Sequence, residues 1–429
     1  MILHALFSDH MVLQCSKPIR LFGMGAGHIA VTFLGKTYEA DCTGGDFCLT
    51  LPPHPAGGPY EMLVDLDGEK RTLTDVMLGE VFLVGGQSNM QMKLCETIPP
   101  REGIHPCPAV RYYTAARPER GEPFGAEWVV ATAEAAPSMS AIGWMFGTKW
   151  AALKGVAVGI VTAYQGAAIL QSFLPRARLL ETEMGQHYSP QHAANQTAYP
   201  VWGGDGMLYD FMLKRLAPLS MRAVLWYQGE SNNDAEEATF FAPLMQLFVT
   251  CFRELFLDEV PFVQVQIAPF GTSCAAHGLI RQAQWEASQI TPGLATVTIG
   301  DIGERDQIHP SHKEEIAERL VRAVRHTVFG ESEVPYLGPT LRTAAFDGGT
   351  ARFTFDHTDG GLVTDGPIDN LYLLDEAGRR YPATCRTEGE ALIAEAALAR
   401  AVGAELGMEP FSVMHLFSGE GLPAVQFKV

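Results

Sequence analysis

The chain has 429 residues, 47% hydrophobic and 19% charged, with 43 glycines and 27 prolines, a composition that suits two or three turn-rich globular domains. Its formal net charge of −18 argues against nucleic acid and anionic membrane as partners, because phosphates would be repelled. No apolar stretch approaches the roughly 20 residues that a membrane-spanning helix needs.

The opening, MILHALFSDHMVLQ, lacks the basic n-region, long apolar h-region and small-residue cleavage site of a signal peptide. A cytoplasmic protein is therefore expected, although a secreted or periplasmic form numbered after loss of its signal would read the same. The eight cysteines (15, 42, 48, 95, 107, 251, 274 and 385) form no C-x-x-C pair, so metal clusters and redox motifs lack support. They read as reduced structural thiols, with a Cys42–Cys48 bridge open. Asn195-Gln196-Thr197 is a glycosylation sequon that matters only in a secreted protein.

Residues 1–76 hold short strand-like pieces at Ile19–Phe22, Ile29–Phe33, Cys48–Leu51, Tyr60–Val64 and Arg71–Leu73, separated by turns such as Gly44-Gly45, and predict a small β-sandwich. From Met77 the pattern changes to buried strands alternating with helices, which predicts a parallel sheet covered on both faces over residues 77–330. The strand Val81–Val84 leads this region. A helix follows over Ser140–Lys154, capped by Ser138 or Ser140, ended by Gly155, and burying Ile142, Met145, Phe146, Trp150 and Leu153.

Next come a strand at Val156–Ala163, a helix at Met207–Leu216 and a strand at Arg222–Tyr227. Glu237–Phe256 reads as one long helix that Pro243 can kink. Strands at Pro261–Ile267 and Ala295–Ile299 flank a helix at Leu279–Gln289, and a helix at Lys313–Val328 closes the region. Residues 331–429 return to short β pieces.

Four segments place polar groups at the carboxyl ends of strands, where open α/β sheets bind ligands. In VFLVGGQSNM, Gly85-Gly86 allows a sharp turn and Ser88 stands just past it, a small hydroxyl suited to nucleophilic acyl transfer. In VGIVTAYQGAA, Gly166 can bring a backbone N–H close to a developing oxyanion. In VLWYQGESN, Gln228 can donate to an anion and Glu230 can orient an imidazole.

In DIGERDQIHPSHKEEIAERL, Asp306 and His309 are separated by Gln307 and Ile308, a spacing that lets a turn carboxylate accept the imidazole Nδ1–H and leave Nε2 to take a serine proton. Pro310 stiffens this turn and suits a helix start. Glu230, and after it Asp301, are alternative orienting carboxylates. His309 with His312 makes a weak metal pair, because no third ligand lies near in sequence. His187 and His192 read as a substrate-facing or surface loop. No glycine loop of the P-loop or dinucleotide type follows a strand.

Assembled, these segments resemble the sialate O-acetylesterase family of SGNH hydrolases, which is related to the acetylxylan esterases. The likeness runs nearly end to end. It includes Leu6–Gln14 (LFSDHMVLQ), Val76–Met90 (VMLGEVFLVGGQSNM), Tyr209–Leu219 with Ala223–Asn232 (AVLWYQGESN), Ile308-His309-Pro310 and Gly421-Leu422-Pro423-Ala424. GQSNM, WYQGESN and a downstream DxxHP in that order form a highly specific set.

The resemblance implies an α/β fold with a flavodoxin-like three-layer α/β/α core and parallel sheet, flanked by N- and C-terminal β-sandwich-like regions. It implies hydrolysis of O-acetyl groups on carbohydrate, without cofactor or metal. Carried over, Ser88 would be the nucleophile, His309 the general base and Asp306 its orienting carboxylate, with Glu230 a possible support. Ser88 N–H, Gly166 N–H and the Gln228 side chain would form the oxyanion hole, and Gln87 and Asn89 would face substrate.

Two segments depart from the family pattern. Tyr164-Gln165-Gly166-Ala167 replaces a Trp-Gly-Gly-Thr-like run, and Asp210-Phe211 replaces an Asn-Gly pair, changes that bear on sugar specificity. Acetylxylan or another plant-polysaccharide ester is the runner-up substrate. A non-catalytic carbohydrate-binding protein on an esterase scaffold is the alternative of another class. Oligomeric state is not expressed in any of these motifs.

Overall fold

A computed structural model describes residues 1–115, 127–195, 204–271 and 276–429. The His192 side chain, the sequon side chains at 195–197 and Cys274 lie outside the described set. The chain divides into two compact units, one of Met1–Trp226 with Leu247–Phe262 and one of Tyr227–Gln246 with Val263–Val429.

In the first unit the short β pieces merge into long strands. Ile19–Phe33 pairs antiparallel with Lys36–Leu51 and with Gly57–Leu66, which pairs in turn with Glu69–Gly86. Glycines and turn-like residues suggested breaks in these strands, but a two-stranded ribbon tolerates them where the ladder continues. Alternating burial along Ile19–Phe33 keeps Ile19, Leu21, Ile29, Val31 and Phe33 inside.

Glu69–Gly86 is one continuous strand whose second half is buried at every position from Leu78 onward. There it pairs in parallel with Val12–Gln14 and with Val158–Tyr164, and the latter pairs in parallel with Cys107–Thr114. The opening LFSDHMVLQ motif thus braces the strand that leads to Ser88 directly. Gln14 Oε1 accepts Val81 N–H at 2.8 Å, and Gln14 Nε2 donates to Glu80 at 3.0 Å. Glu80 also accepts Arg222 Nε at 2.5 Å and Nη2 at 3.1 Å, so its buried charge is paired and hydrogen-bonded, the condition under which such a charge is tolerated.

The helix Ala141–Lys154 forms as expected. Ser140 Oγ accepts Gly143 N–H at 3.1 Å, and Gly155 ends the helix with φ +66°. Its buried face differs from the expected one. Trp144 and Gly147 are inside with Ile142, Met145, Phe146 and Trp150, whereas Leu153 is 46% exposed. Phe82 of the serine strand packs edge-on to Phe146 at 4.8 Å and Trp150 at 5.6 Å. Each such side chain contributes about 1.5–3 kcal/mol by burial. The exposed Lys214–Asp210 pair at 2.8 Å contributes about 0–1 kcal/mol, so packing and not surface charge holds this unit.

The expected long helix is two helices, Ala235–Ala238 and Phe241–Phe256. Asp234 caps the first by accepting Glu236 and Glu237 N–H groups. Pro243 falls in the opening turn of the second, where its missing N–H costs nothing, so it causes no kink.

In the second unit, strands Phe262–Val265 and Leu294–Val297 and helices His277–Ile290 and Glu314–Phe329 are joined by buried glutamines. Gln264 Nε2 donates to Gln284 C=O at 2.6 Å and Thr296 Oγ1 at 2.9 Å, Gln266 Nε2 to Arg281 C=O at 2.8 Å, and Gln284 Oε1 accepts Ile267 N–H at 2.8 Å. Residues beyond 338 build two four-stranded antiparallel sheets and a two-stranded ribbon. Phe353, Phe355, Leu371, Leu373, Leu392, Leu406 and Phe427 from these strands share one core, which makes this region a β-sandwich. Arg281, 1% exposed, is held by Gln426 Oε1 at 2.8 Å and by the carbonyls of Gly407, Glu409 and Pro410 at 3.0, 2.6 and 3.1 Å.

His277, at the start of its helix, is fully buried beside the Phe270 ring. Burial first, and then the Arg281 charge, lowers its pKa from 6.5 to about 4. Between these values the unfolded chain holds more protons than the folded one, so this group makes stability rise with pH. The full shift corresponds to roughly 3 kcal/mol. His277→Leu should therefore flatten the unfolding free energy between about pH 4 and 6.5 in urea titrations. An unaltered slope would assign the acid sensitivity of the fold elsewhere.

Candidate active site

The first unit presents Ser88 and the Gly166 amide side by side. Strands Glu69–Gly86 and Val158–Tyr164 run in parallel register from Glu80 opposite Val158 to Gly86 opposite Tyr164. Ser88 and Gly166 each stand two residues past that last shared rung, so one sheet edge delivers both. A side-chain carbon on Gly166 would lie 3.7 Å from Ser88 Cβ.

The turn before Ser88 needs both of its glycines. A Cβ on Gly85 would meet the Trp226 ring at 2.7 Å, and Gly86 adopts φ +129°, a conformation that L side chains rarely take. Ala167, just beyond Gly166, has φ +60° without being glycine, so backbone strain is held next to the amide donor.

Ser88–Gln91 is a single helical turn, in which Gln87 C=O accepts Met90 N–H and Gln91 N–H, both at 3.0 Å. Ser140 anchors this turn as well as capping its own helix, because its Oγ donates to Met90 C=O at 2.6 Å. Its backbone N–H donates to the Tyr112 hydroxyl at 3.0 Å, which lies 3.0 Å from the Tyr164 hydroxyl. Gln87 and Asn89 are buried on either side of Ser88, and Ser88 alone of the three is partly exposed. Gly166 N–H donates to Gln91 Oε1 at 2.7 Å.

The second unit presents the amide and imidazole groups. Gln228 follows the strand Ala223–Tyr227 and is fully buried. Its Nε2 donates to Asn232 Oδ1 at 2.7 Å, and its backbone carbonyl accepts Gln284 Nε2 at 3.0 Å, so both side chain and main chain are oriented.

Glu230 is 4% exposed. Its charge helps to raise the Tyr227 hydroxyl pKa, mainly a burial effect, and partly offsets the burial that lowers Lys313 from 10.5 to about 7. The Lys313 ammonium, fully buried, stands 5.6 Å from the Tyr227 ring centroid. Glu230, Tyr227 and Lys313 thus form one buried polar cluster.

His309 is partly exposed in a loop that Glu304 closes by accepting Ser311 N–H at 2.9 Å and Ser311 Oγ–H at 2.8 Å. These bonds draw the Glu304 pKa down. Pro310 is buried within the loop and does not begin the helix, which starts at Glu314 with Lys313 at its N-cap. Asp306 is exposed and takes part in no hydrogen bond or ion pair among the described residues. Asp301 is committed to a bidentate pair with Arg319 at 2.7 and 2.6 Å. His312 is exposed, and the described residues contain no cluster of three or more potential metal ligands.

Sequence reasoning missed Gln91, Ser140 as an anchor of the serine turn, Gln284 and Lys313. Only Lys313 carried a local signal, a lysine at the end of the histidine block just ahead of two glutamates. Gln284 is paired to its target by the tertiary fold, which leaves no mark in sequence spacing.

Residues 78–325 match the profile of the SASA family, described as carbohydrate esterase, sialic acid-specific acetylesterase. The chain is 24% identical to human sialate O-acetylesterase over 356 residues, covering 72% of this chain and 65% of the human protein. It is 23% identical to the rat sialate O-acetylesterase, covering 77% of this chain and 74% of that protein. The match thus takes in slightly less than two thirds of the human relative's length.

Among solved structures, a carbohydrate acetylesterase from Xanthomonas citri superposes with a TM-score of 0.88 at 28% identity, covering 100% of this chain and 99% of that one. The SGNH-type α/β architecture with added β regions agrees with the expected fold class. With the family profile spanning the serine, glutamine and histidine segments together, this chain belongs to the SASA family of carbohydrate esterases.

Proposed function

We propose that the protein is a serine esterase that removes O-acetyl groups from carbohydrate, with acetylated sialic acid as its substrate. The observation that carries this reading is that Ser88 and the Gly166 amide each stand two residues past the last shared rung of two parallel strands. That is the arrangement of a nucleophile beside an oxyanion donor, and it stands inside the segment matched by the family profile.

In the proposed mechanism Ser88 Oγ attacks the acetyl carbonyl carbon while His309 takes its proton. The tetrahedral oxyanion rests on Ser88 N–H, Gly166 N–H and Gln228. Its collapse breaks the bond to the sugar oxygen, which leaves with the proton from His309. Water then attacks the acetyl-enzyme with the same proton transfers and releases acetate. Each oxyanion donor is worth on the order of 10²–10³ in kcat.

For the carboxylate that supports the imidazolium, the burial of Glu230 favours it over Asp306. A charge in a desolvated cluster acts more strongly than one exposed to water. The substrate assignment rests on the family profile and the curated relatives.

Acetate release should be measured on O-acetylated sialic acid, acetylxylan and acetylated monosaccharides. The reading predicts the highest kcat/KM on O-acetylated sialic acid. A preference for acetylxylan or a neutral sugar would transfer the substrate assignment, and no turnover on any ester would favour a carbohydrate-binding protein.

A further inference from the structure

Gly166 N–H, an oxyanion donor in the reading above, is already bonded. It donates at 2.7 Å to the side-chain oxygen of Gln91, the last residue of the turn that Ser88 begins. We propose that Gln91 is a displaceable plug, its amide oxygen holding the oxyanion position in the empty site and yielding it to the substrate carbonyl. The inference rests on the esterase reading and adds a residue to that site.

The chemistry of the exchange supports this. A glutamine amide oxygen and an ester carbonyl oxygen are both sp² acceptors that approach an N–H along similar directions, so they compete for one hydrogen. The donor is fixed by the backbone of a strained turn, with Ala167 at φ +60° directly after it. The acceptor is the end of a partly exposed side chain, so Gln91 is the partner that moves. A position 3.4 Å from Gln91 Oε1 and 3.7 Å from Ser88 Cβ, the site of a Cβ built on Gly166, is common ground for the plug and the nucleophile.

The exchange is nearly even for a neutral ester carbonyl. It becomes favourable for the tetrahedral oxyanion, whose charge-assisted hydrogen bonds are roughly twice as strong. Displacing the plug costs the same hydrogen bond in the Michaelis complex and in the transition state, so the plug raises KM and leaves kcat unaltered.

The test is steady-state kinetics of the full chain on p-nitrophenyl acetate and an O-acetylated sugar, with Gln91→Ala and Gln91→Glu beside the parent. Removing the plug in Gln91→Ala should raise kcat/KM about two- to tenfold, the fold-change equivalent of one neutral hydrogen bond, and the gain should lie in KM. Gln91→Glu puts a charged acceptor on Gly166 N–H and should lower kcat/KM by about tenfold.

Opposite movement of the two variants supports the plug. A fall in kcat in both would make Gln91 a structural prop of the Gly166 turn, and no change in either would mean that the bond carries no weight in catalysis. Both results overturn the proposal while leaving the esterase reading intact. An inactive parent overturns both.

Discussion

Ser88→Ala should lose acetyl-ester turnover by a factor on the order of 10⁶ in kcat, the scale seen when a serine hydrolase loses its nucleophile. Its unfolding free energy in urea should match that of the parent within about 0.5 kcal/mol. The two halves of this expectation come from different features. Activity depends on a hydroxyl oxygen at a partly exposed position, whereas the fold around it depends on other groups. Gln87 C=O closes the turn, Ser140 Oγ holds Met90 C=O at 2.6 Å, and Gln87, Asn89 and Met90 are buried. Removing one oxygen from the only partly exposed residue of that run leaves these bonds in place. Turnover of p-nitrophenyl acetate near the parent rate would end the proposed mechanism.

The second large effect concerns the carboxylates of the histidine half. Glu230→Gln should reduce kcat by at least about 10², and Asp306→Asn by less than about tenfold, both measured as acetate release at pH 7–8. Glu230 is buried with Lys313 and Tyr227, so neutralising it leaves a buried lysine without its carboxylate and alters the field around the site. Asp306 is exposed, and water screens whatever charge it offers.

A parallel measurement of stability separates the two consequences for Glu230. A catalytic role lowers kcat in protein that is still folded at the assay temperature, whereas a structural one lowers the urea midpoint and leaves kcat per folded molecule unaltered. If Asp306→Asn is the more damaging change, the orienting role belongs to the turn carboxylate.

The glycines show what the sequence could carry and what it could not. Gly85-Gly86 after an apolar strand marks a sharp turn because few other residues fit. The structure explains both positions, one by the Trp226 ring and the other by a positive φ. The same logic located Gly166 and Gln228, since each follows a strand that reads as buried.

The long strands Ile19–Phe33 and Lys36–Leu51 read as fragments because their polar and glycine positions lie in a ribbon where pairing, and not side-chain burial, maintains the ladder. Helical spacing alone points Leu153 inward, yet Trp144 and Gly147 are buried and Leu153 is exposed. Periodicity cannot separate these positions in a helix that is buried over most of its circumference.

The candidate site divides in the same way. The residues proposed to act on substrate, Ser88, Gly166 and Gln228, lie next to strand ends and are legible one segment at a time. Residues that hold them in place are bonded across long separations, as Gln284 is to Gln228 and Gln14 is to Val81. The proposed preference for Glu230 over Asp306 rests on exposure, which is a property of the folded chain and leaves no mark in the spacing of the turn.

The most direct check of the nucleophile is covalent capture. Incubation with a fluorophosphonate and intact-mass analysis should show one adduct, mapped by peptide sequencing to Ser88. Labelling should disappear in Ser88→Ala and slow by at least about 10² in His309→Ala, since imidazole catalysis of proton removal is worth about 10²–10⁴. An adduct on another residue, or labelling of His309→Ala at the parent rate, would contradict the assignment of these two residues as nucleophile and base.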